Sequence, residues 1–231
     1  MINPDMRAIV FSFLIADVAI TLFMILIAVQ NHKRFRGINS WVAAFVLQNL
    51  AVIQIVLRGS IPDWSSLVLS NAMVVAGLWA GLKGMCSFTG VKLNQIPNYF
   101  IFILYVCIQV WFSLVNPDLP ARNLNLAVVM LLFAGQYIWL IFFKADSNIR
   151  TLASGVGIVY IGYAVVNLFR IVHFFAADST TNDYFQADIF EKIIFIAYQA
   201  LFIFLAYSLA LMYNRSLLFE IATQEEKFAK A

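Results

Sequence analysis

The side chains best suited to chemistry in this sequence are hydrophilic groups embedded in apolar runs. Asp17, Asn49, Asn71, Asn167 and Gln199 come from five different runs. Asp17 stands nine residues into its run, which at about 1.5 Å per residue puts it roughly 13 Å below one membrane surface, and the other four fall at similar depth. Five polar groups at one depth argue for an interior shared between helices, because a hydrophilic side chain facing acyl chains is costly. Arg170 and His173 lie one turn apart on roughly the face that carries Asn167. At matching depth the last run opens with Asp188, Glu191 and Lys192, followed by Tyr198 and Gln199. The chemistry these residues offer is recognition of a small, anionic or lipid-like molecule. The expected site comprises Asp17, Arg58, Asn71, Asn167, Arg170, His173, Glu191, Tyr198 and Gln199. The plainer alternative is that Arg170 pairs with Asp17 or Glu191 only to tie helices together, while the amides make interhelical hydrogen bonds worth about 0.6 kcal/mol each.

The elements that must position these groups are transmembrane helices. The chain is 63% hydrophobic and only 12% charged, a composition that belongs to lipid rather than water. A crossing needs about 20 apolar residues, and seven runs qualify: Ala8–Gln30, Trp41–Leu57, Trp64–Leu82, Asn98–Val115, Arg122–Phe143, Leu152–Phe175 and Ile189–Tyr213. The fold class expected is an all-α membrane protein, a bundle of seven transmembrane helices over residues 1–213 followed by a linker at 214–231. The first run is too long for a signal peptide and ends in His32, Lys33, Arg34, Phe35 and Arg36, so it should remain as a helix. Pro4, Pro62, Pro97, Pro117 and Pro120 all avoid the interiors of the runs, which predicts continuous helices.

Basic residues set the expected orientation. Lys33, Arg34, Arg36, Lys83, Lys92, Lys144, Arg150, Arg215, Lys227 and Lys230 fall on one side, against Arg7, Arg58, Arg122, Arg170 and Lys192 on the other. This places the amino terminus outside and the carboxyl terminus in the cytoplasm of a plasma (inner) membrane. The segment Ala176–Asp188, with Asp178, Asp183 and Asp188 and no Lys or Arg, agrees. The net charge of +3 reads as a topology signal, and no nucleic-acid partner is inferred.

Other chemistries find no support in the spacing. Cys86 and Cys107 form no CxxC or Cys/His cluster, so neither a metal site nor a disulfide framework is expected, and no cofactor. A retinal Schiff base needs a Lys deep in the seventh run, whereas Lys192 is in its first turn. Ser154 and His173 are 19 positions apart on one helix, about 28 Å, too far for a protease dyad. Transporters often break helices at Gly or Pro in matching halves, and neither breaks nor a repeat occur here. A transporter or channel, or a lipid-responsive module, nevertheless stands as the alternative function. Gly77, Gly81, Gly155, Gly157 and Gly162 read as close helix packing. Trp41, Trp64 and Trp111, like Trp79 and Trp139, read as interfacial belt residues.

Beyond the last run, Leu211, Leu218, Ile221 and Phe228, with Leu217 beside them, keep a partial heptad stripe, broken at Asn214 and Glu225. The seventh helix should therefore continue out of the membrane.

Two stretches carry a family resemblance. Pro62, Asp63, Trp64, Ser65, Ser66, Ser70, Asn71, Gly81, Leu82 to Phe88 and Gly90 resemble the second-to-fourth-helix region of seven-helix amino-terminal sensors on bacterial diguanylate cyclases and sensor histidine kinases. The end, Glu225 to Ala231, resembles the helix that commonly opens a PAS domain in such proteins. The resemblance implies a signalling sensor that perceives a ligand at the membrane and passes a shift through its exit helix, paired in a homodimer, to PAS, cyclase or kinase modules. No Gly-Gly-Asp-Glu-Phe run, kinase phospho-acceptor region or ATP-binding motif occurs, so no enzyme activity is expected of this stretch and its output module is expected elsewhere.

Overall fold

The computed structural model describes residues 5–31, 35–176 and 189–229. Seven helices result: α1 (Met6–Asn31), α2 (Ile38–Val56), α3 (Trp64–Thr89), α4 (Ile96–Val115), α5 (Leu119–Lys144), α6 (Ser147–Ala176) and α7 (Ile189–Ala229). Each is long and apolar enough to cross a membrane, the layout of a multi-pass membrane protein. Helices are the form such runs must take, since hydrocarbon leaves every backbone N–H and C=O to be satisfied within the segment. Asp178, Asp183 and Asp188, and the basic His32, Lys33 and Arg34, lie outside the described residues, as does Lys230.

The helices begin and end where local chemistry permits, and most outrun the apolar stretches. Asp118 caps α5, its Oδ1 accepting from the N–H of Ala121 at 2.9 Å. Pro97 and Pro120 sit in the first turns of α4 and α5, where a missing N–H costs nothing. Gly37, at φ 87°, precedes α2, and Gly90, at φ 73°, ends α3 seven residues beyond the apolar run. The helices are continuous, but three contain a π-helical turn: Trp64–Leu69 opens α3, Trp111–Val115 closes α4 and Leu140–Lys144 closes α5. Proline positions alone do not report such turns, because a π turn changes hydrogen-bond register without needing an imino acid.

Each helix packs on its sequence neighbours, α7 closes back onto α1, and α3 also touches α5. The tightest seam runs between α2 and α3. A Cβ at Gly81 would stand 2.9 Å from the Trp41 ring, one at Gly84 2.8 Å from the same ring, and one at Gly77 3.0 Å from the Ala44 carbonyl oxygen. Close approach through small residues is how helices associate where lipid is as apolar as the interface. Trp41 is 1% exposed in this seam, which corrects its reading as a belt residue: glycines opposite it open a slot that an indole fills. Trp64, Trp111 and Trp139 do stand outward, whereas Trp79 is half-buried and donates to Gln95 at 2.7 Å.

Aromatic rings continue the core from Trp41. Tyr137 and Tyr160 stack at 3.6 Å between centroids, and the Tyr137 hydroxyl donates to the Leu78 carbonyl at 3.0 Å. Outward faces carry Phe11, Leu26, Phe100, Phe143, Phe169 and other large apolar groups. Replacing Gly81 with Ala must displace Trp41 or Tyr137, and overpacking of this kind costs about 1–3 kcal/mol. A lowered thermal midpoint of Gly81→Ala in detergent, against little change for Gly135→Ala, whose added methyl meets open space, is the expected result.

Candidate functional site

The seam that closes α2 on α3 leaves room deeper in the ring, where all seven helices contribute to a cavity of about 130 Å³. A single water needs about 10–15 Å³, and an apolar cavity of about 150 Å³ in another protein takes up benzene, so a small organic molecule is in scale. On α7 the lining runs from Glu191 to Leu205, about 21 Å along the axis. The cavity is therefore elongated, and its two ends differ in chemistry. At the end where α7 begins stand Arg58, Arg122, Arg170 and Glu191, whereas the deep end is walled by Trp41, Phe45, Tyr160, Phe202 and Leu205.

The polar end is built from local backbone decisions. Arg58 follows α2 in a short link held by the Ser60 N–H bond to the Leu57 carbonyl and a bridge between Arg58 and Ile61. Its Nη2 donates to the Ser66 carbonyl at 3.1 Å. Ser66 and Leu67 lie in the π turn of α3, and the Leu67 carbonyl accepts from Asn71 at 2.8 Å and from Gln109 of α4 at 3.3 Å. A π turn shifts carbonyls out of the regular ladder, and here side chains from three elements take them up. Asn125 of α5 extends the network, donating to the Tyr105 carbonyl and to Gln109.

Arg170 and Glu191 form a two-pronged ion pair between α6 and α7, with Nε to Oε1 at 3.3 Å and Nη2 on Oε2. Their side chains are 7% and 16% exposed, so both charges are largely out of solvent. The Arg170 guanidinium also sits 5.9 Å from the Tyr198 ring centroid. The Tyr198 hydroxyl donates to Asn167 at 2.7 Å, and Asn167 donates to the Tyr163 carbonyl at 2.7 Å. Of the two sequence options for Arg170, pairing with Glu191 is the one adopted.

No family model, curated protein or solved structure matches this chain. What the site can do rests on its own geometry.

Of the residues expected from sequence, the structure brings Arg58, Asn71, Arg170, Glu191 and Tyr198 to the cavity wall. Asn167 is buried one layer back, orienting Tyr198. His173 lies outside the wall, stacked on Phe190 at 3.7 Å, where it fastens the end of α6 to the start of α7. Gln199 turns towards α1, its Oε1 3.5 Å from the Ser12 hydroxyl. Asp17 is fully buried away from the wall, with no hydrogen-bond donor among the described residues on either carboxylate oxygen and Thr21 near enough to interact. Asn49 is half-buried on α2.

Arg122, Gln109, Gln48, Asn123, Tyr160 and Tyr163 line the cavity without having been expected there. Arg122 read as the outer end of a span, whereas the Asp118 cap starts the helix three residues earlier and Arg122 lies buried in its second turn. The signal that could have found Gln48 and Gln109 is their position within apolar runs. Among the described residues no group of three His, Cys, Asp or Glu is placed to hold a metal.

Losing one partner of a buried ion pair strands the other, at a cost of about 3–5 kcal/mol, whereas replacing both with apolar groups is often neutral. Arg170→Met and Glu191→Leu, each alone, are accordingly expected to lower the unfolding midpoint strongly, and the two together to recover most of the loss. Additive losses in this double-mutant cycle would mean the pair contributes no coupling between α6 and α7.

Proposed function

We propose that this chain is a membrane-embedded sensor domain that binds a small ligand in the cavity and transmits the event through α7. One observation carries the reading: the helix that seals the polar end of the cavity with Glu191 is also the longest of the described helices. At 41 residues α7 extends about 60 Å, twice the roughly 30 Å of a hydrocarbon core. A displacement at Glu191 therefore has a rigid lever reaching well past the bundle. Leu217 packs against the core, while Leu218, Phe219 and Ile221 stand outward on that extension.

In this reading the cavity opens to the outside of a plasma membrane, α7 leads into the cytoplasm, and its apolar stripe pairs with a second copy. The output is a PAS, cyclase or kinase module, as in the seven-helix bacterial sensors that the sequence resembles. Ligand binding moves α7 only if two arrangements of the bundle differ in affinity, and a shift from 1:99 to 99:1 requires about 5.5 kcal/mol of difference. The Arg170–Glu191 pair, buried and two-pronged, is a contact with enough at stake to separate two such arrangements.

With Cys86 and Cys107 replaced by serine, spin labels at Phe143→Cys, on the outward end of α5, and Leu218→Cys, on α7, report the lever directly. Glu191→Gln is expected to shift or broaden the distance between them in nanodiscs. An unchanged distance distribution in a folded variant rejects transmission through α7.

A further inference from the structure

Arg122 separates itself from the other two arginines of the cavity. Arg170 is committed to Glu191, and Arg58 is held on the π turn of α3. Arg122 is 6% exposed and lines the cavity, yet its Nε meets no acceptor and, unlike Arg58 and Arg170, its guanidinium makes no hydrogen bond or ion pair among the described residues. The nearby carboxylates do not take that role. Asp118 caps its own helix through the Ala121 N–H, and Asp63 is exposed, so both act on Arg122 only through space, as does the like charge of Arg58. Guanidinium groups buried this deeply are ordinarily paired, because stripping water from an uncompensated cation is costly. An anion entering the cavity supplies the missing partner, and the planar fork of Arg matches a carboxylate with two parallel N–H donors.

The rest of the cavity says what the anion is attached to. Gln109 and Asn123 flank the arginine end, and beyond them the walls are rings and aliphatic groups: Phe45, Tyr160, Phe202 and Leu205. Such walls offer no charged partner to a second charge at the deep end, and lining that spreads over about 21 Å of α7 suits a slim body better than a compact ion. We infer that the cavity takes an organic carboxylate with an elongated apolar body, its head held by Arg122 and its body lying along the aromatic channel towards Phe202. The assignment rests on the cavity's being a ligand site and deepens that reading by naming the ligand class and the residue that selects it.

Two sources supply such molecules, the aqueous phase and the bilayer. Octanoate added from solution to the full chain in nanodiscs, and palmitate incorporated in the nanodisc lipid, distinguish them. Octanol and inorganic phosphate serve as controls for apolar body alone and charge alone. Expected is a rise in thermal midpoint with one or both carboxylates and with neither control, an apparent Kd about 10- to 100-fold weaker in Arg122→Gln, and partial recovery in Arg122→Lys. Without ligand, Arg122→Gln is expected to melt at or above the wild-type temperature, since the substitution removes a buried cation that lacks a full set of partners. Protection by phosphate alone, or by octanol as well as by the carboxylates, overturns the carboxylate assignment. So does unchanged carboxylate binding in an Arg122→Gln protein of lowered midpoint, which makes Arg122 a helix tie. Carboxylate binding is measured independently of the α7 lever. A failure here with a responsive lever sinks the ligand class alone, and binding with an inert lever sinks the sensor.

Discussion

Charge taken into a hydrocarbon-solvated protein must be answered by the protein itself, and in this chain the answer is concentrated where α6 meets α7. Arg170 and Glu191 satisfy each other across that junction, Tyr198 lies beside the guanidinium, and His173 stacks on Phe190 one turn further out. These contacts fix the start of α7 against the bundle. Much of the remaining polar architecture follows from it, because Asn167 orients Tyr198 and in turn ties back to the α6 backbone at Tyr163.

Packing at the opposite depth obeys a different rule. Where α2 and α3 approach through Gly77, Gly81 and Gly84, the interface is filled by one indole and a stack of phenol rings, with no slack for a methyl group. The seam is dense and the neighbouring chamber is open, and the difference comes from residue size on facing helices. The π turn at the start of α3 lies at the basic end of the chamber, and Gly77 and Leu78, further along the same helix, line the chamber where it meets the seam. The π turn presents the Ser66 and Leu67 carbonyls to Arg58 and Gln109, so a deviation in helix register becomes the scaffold for the basic end of the chamber.

The same arrangement connects stability with function. Arg122 is buried with an Nε that no acceptor among the described residues reaches, so its burial is not offset as that of Arg170 is. The tightly paired Arg170 is the opposite case, a residue whose removal strands its partner. Two arginines that look interchangeable in sequence therefore hold opposite positions in the energetics of the bundle.

The seven helices were legible because run length and apolar content decide the matter in lipid. Those features are properties of a single helix. Helix ends were less legible, since the cap at Asp118 and the left-handed turn at Gly90 carry α5 and α3 past their apolar runs. Rotation about the helix axis was not legible at all. It puts Asp17 and Gln199 off the cavity wall, brings Arg122 and Gln109 onto it, and buries Trp41 where an interfacial ring was expected. A helix apolar on every side carries no strong stripe to say which face turns inward. That choice falls to the small-residue seams and the Arg170–Glu191 pair, which exist only once the helices are assembled.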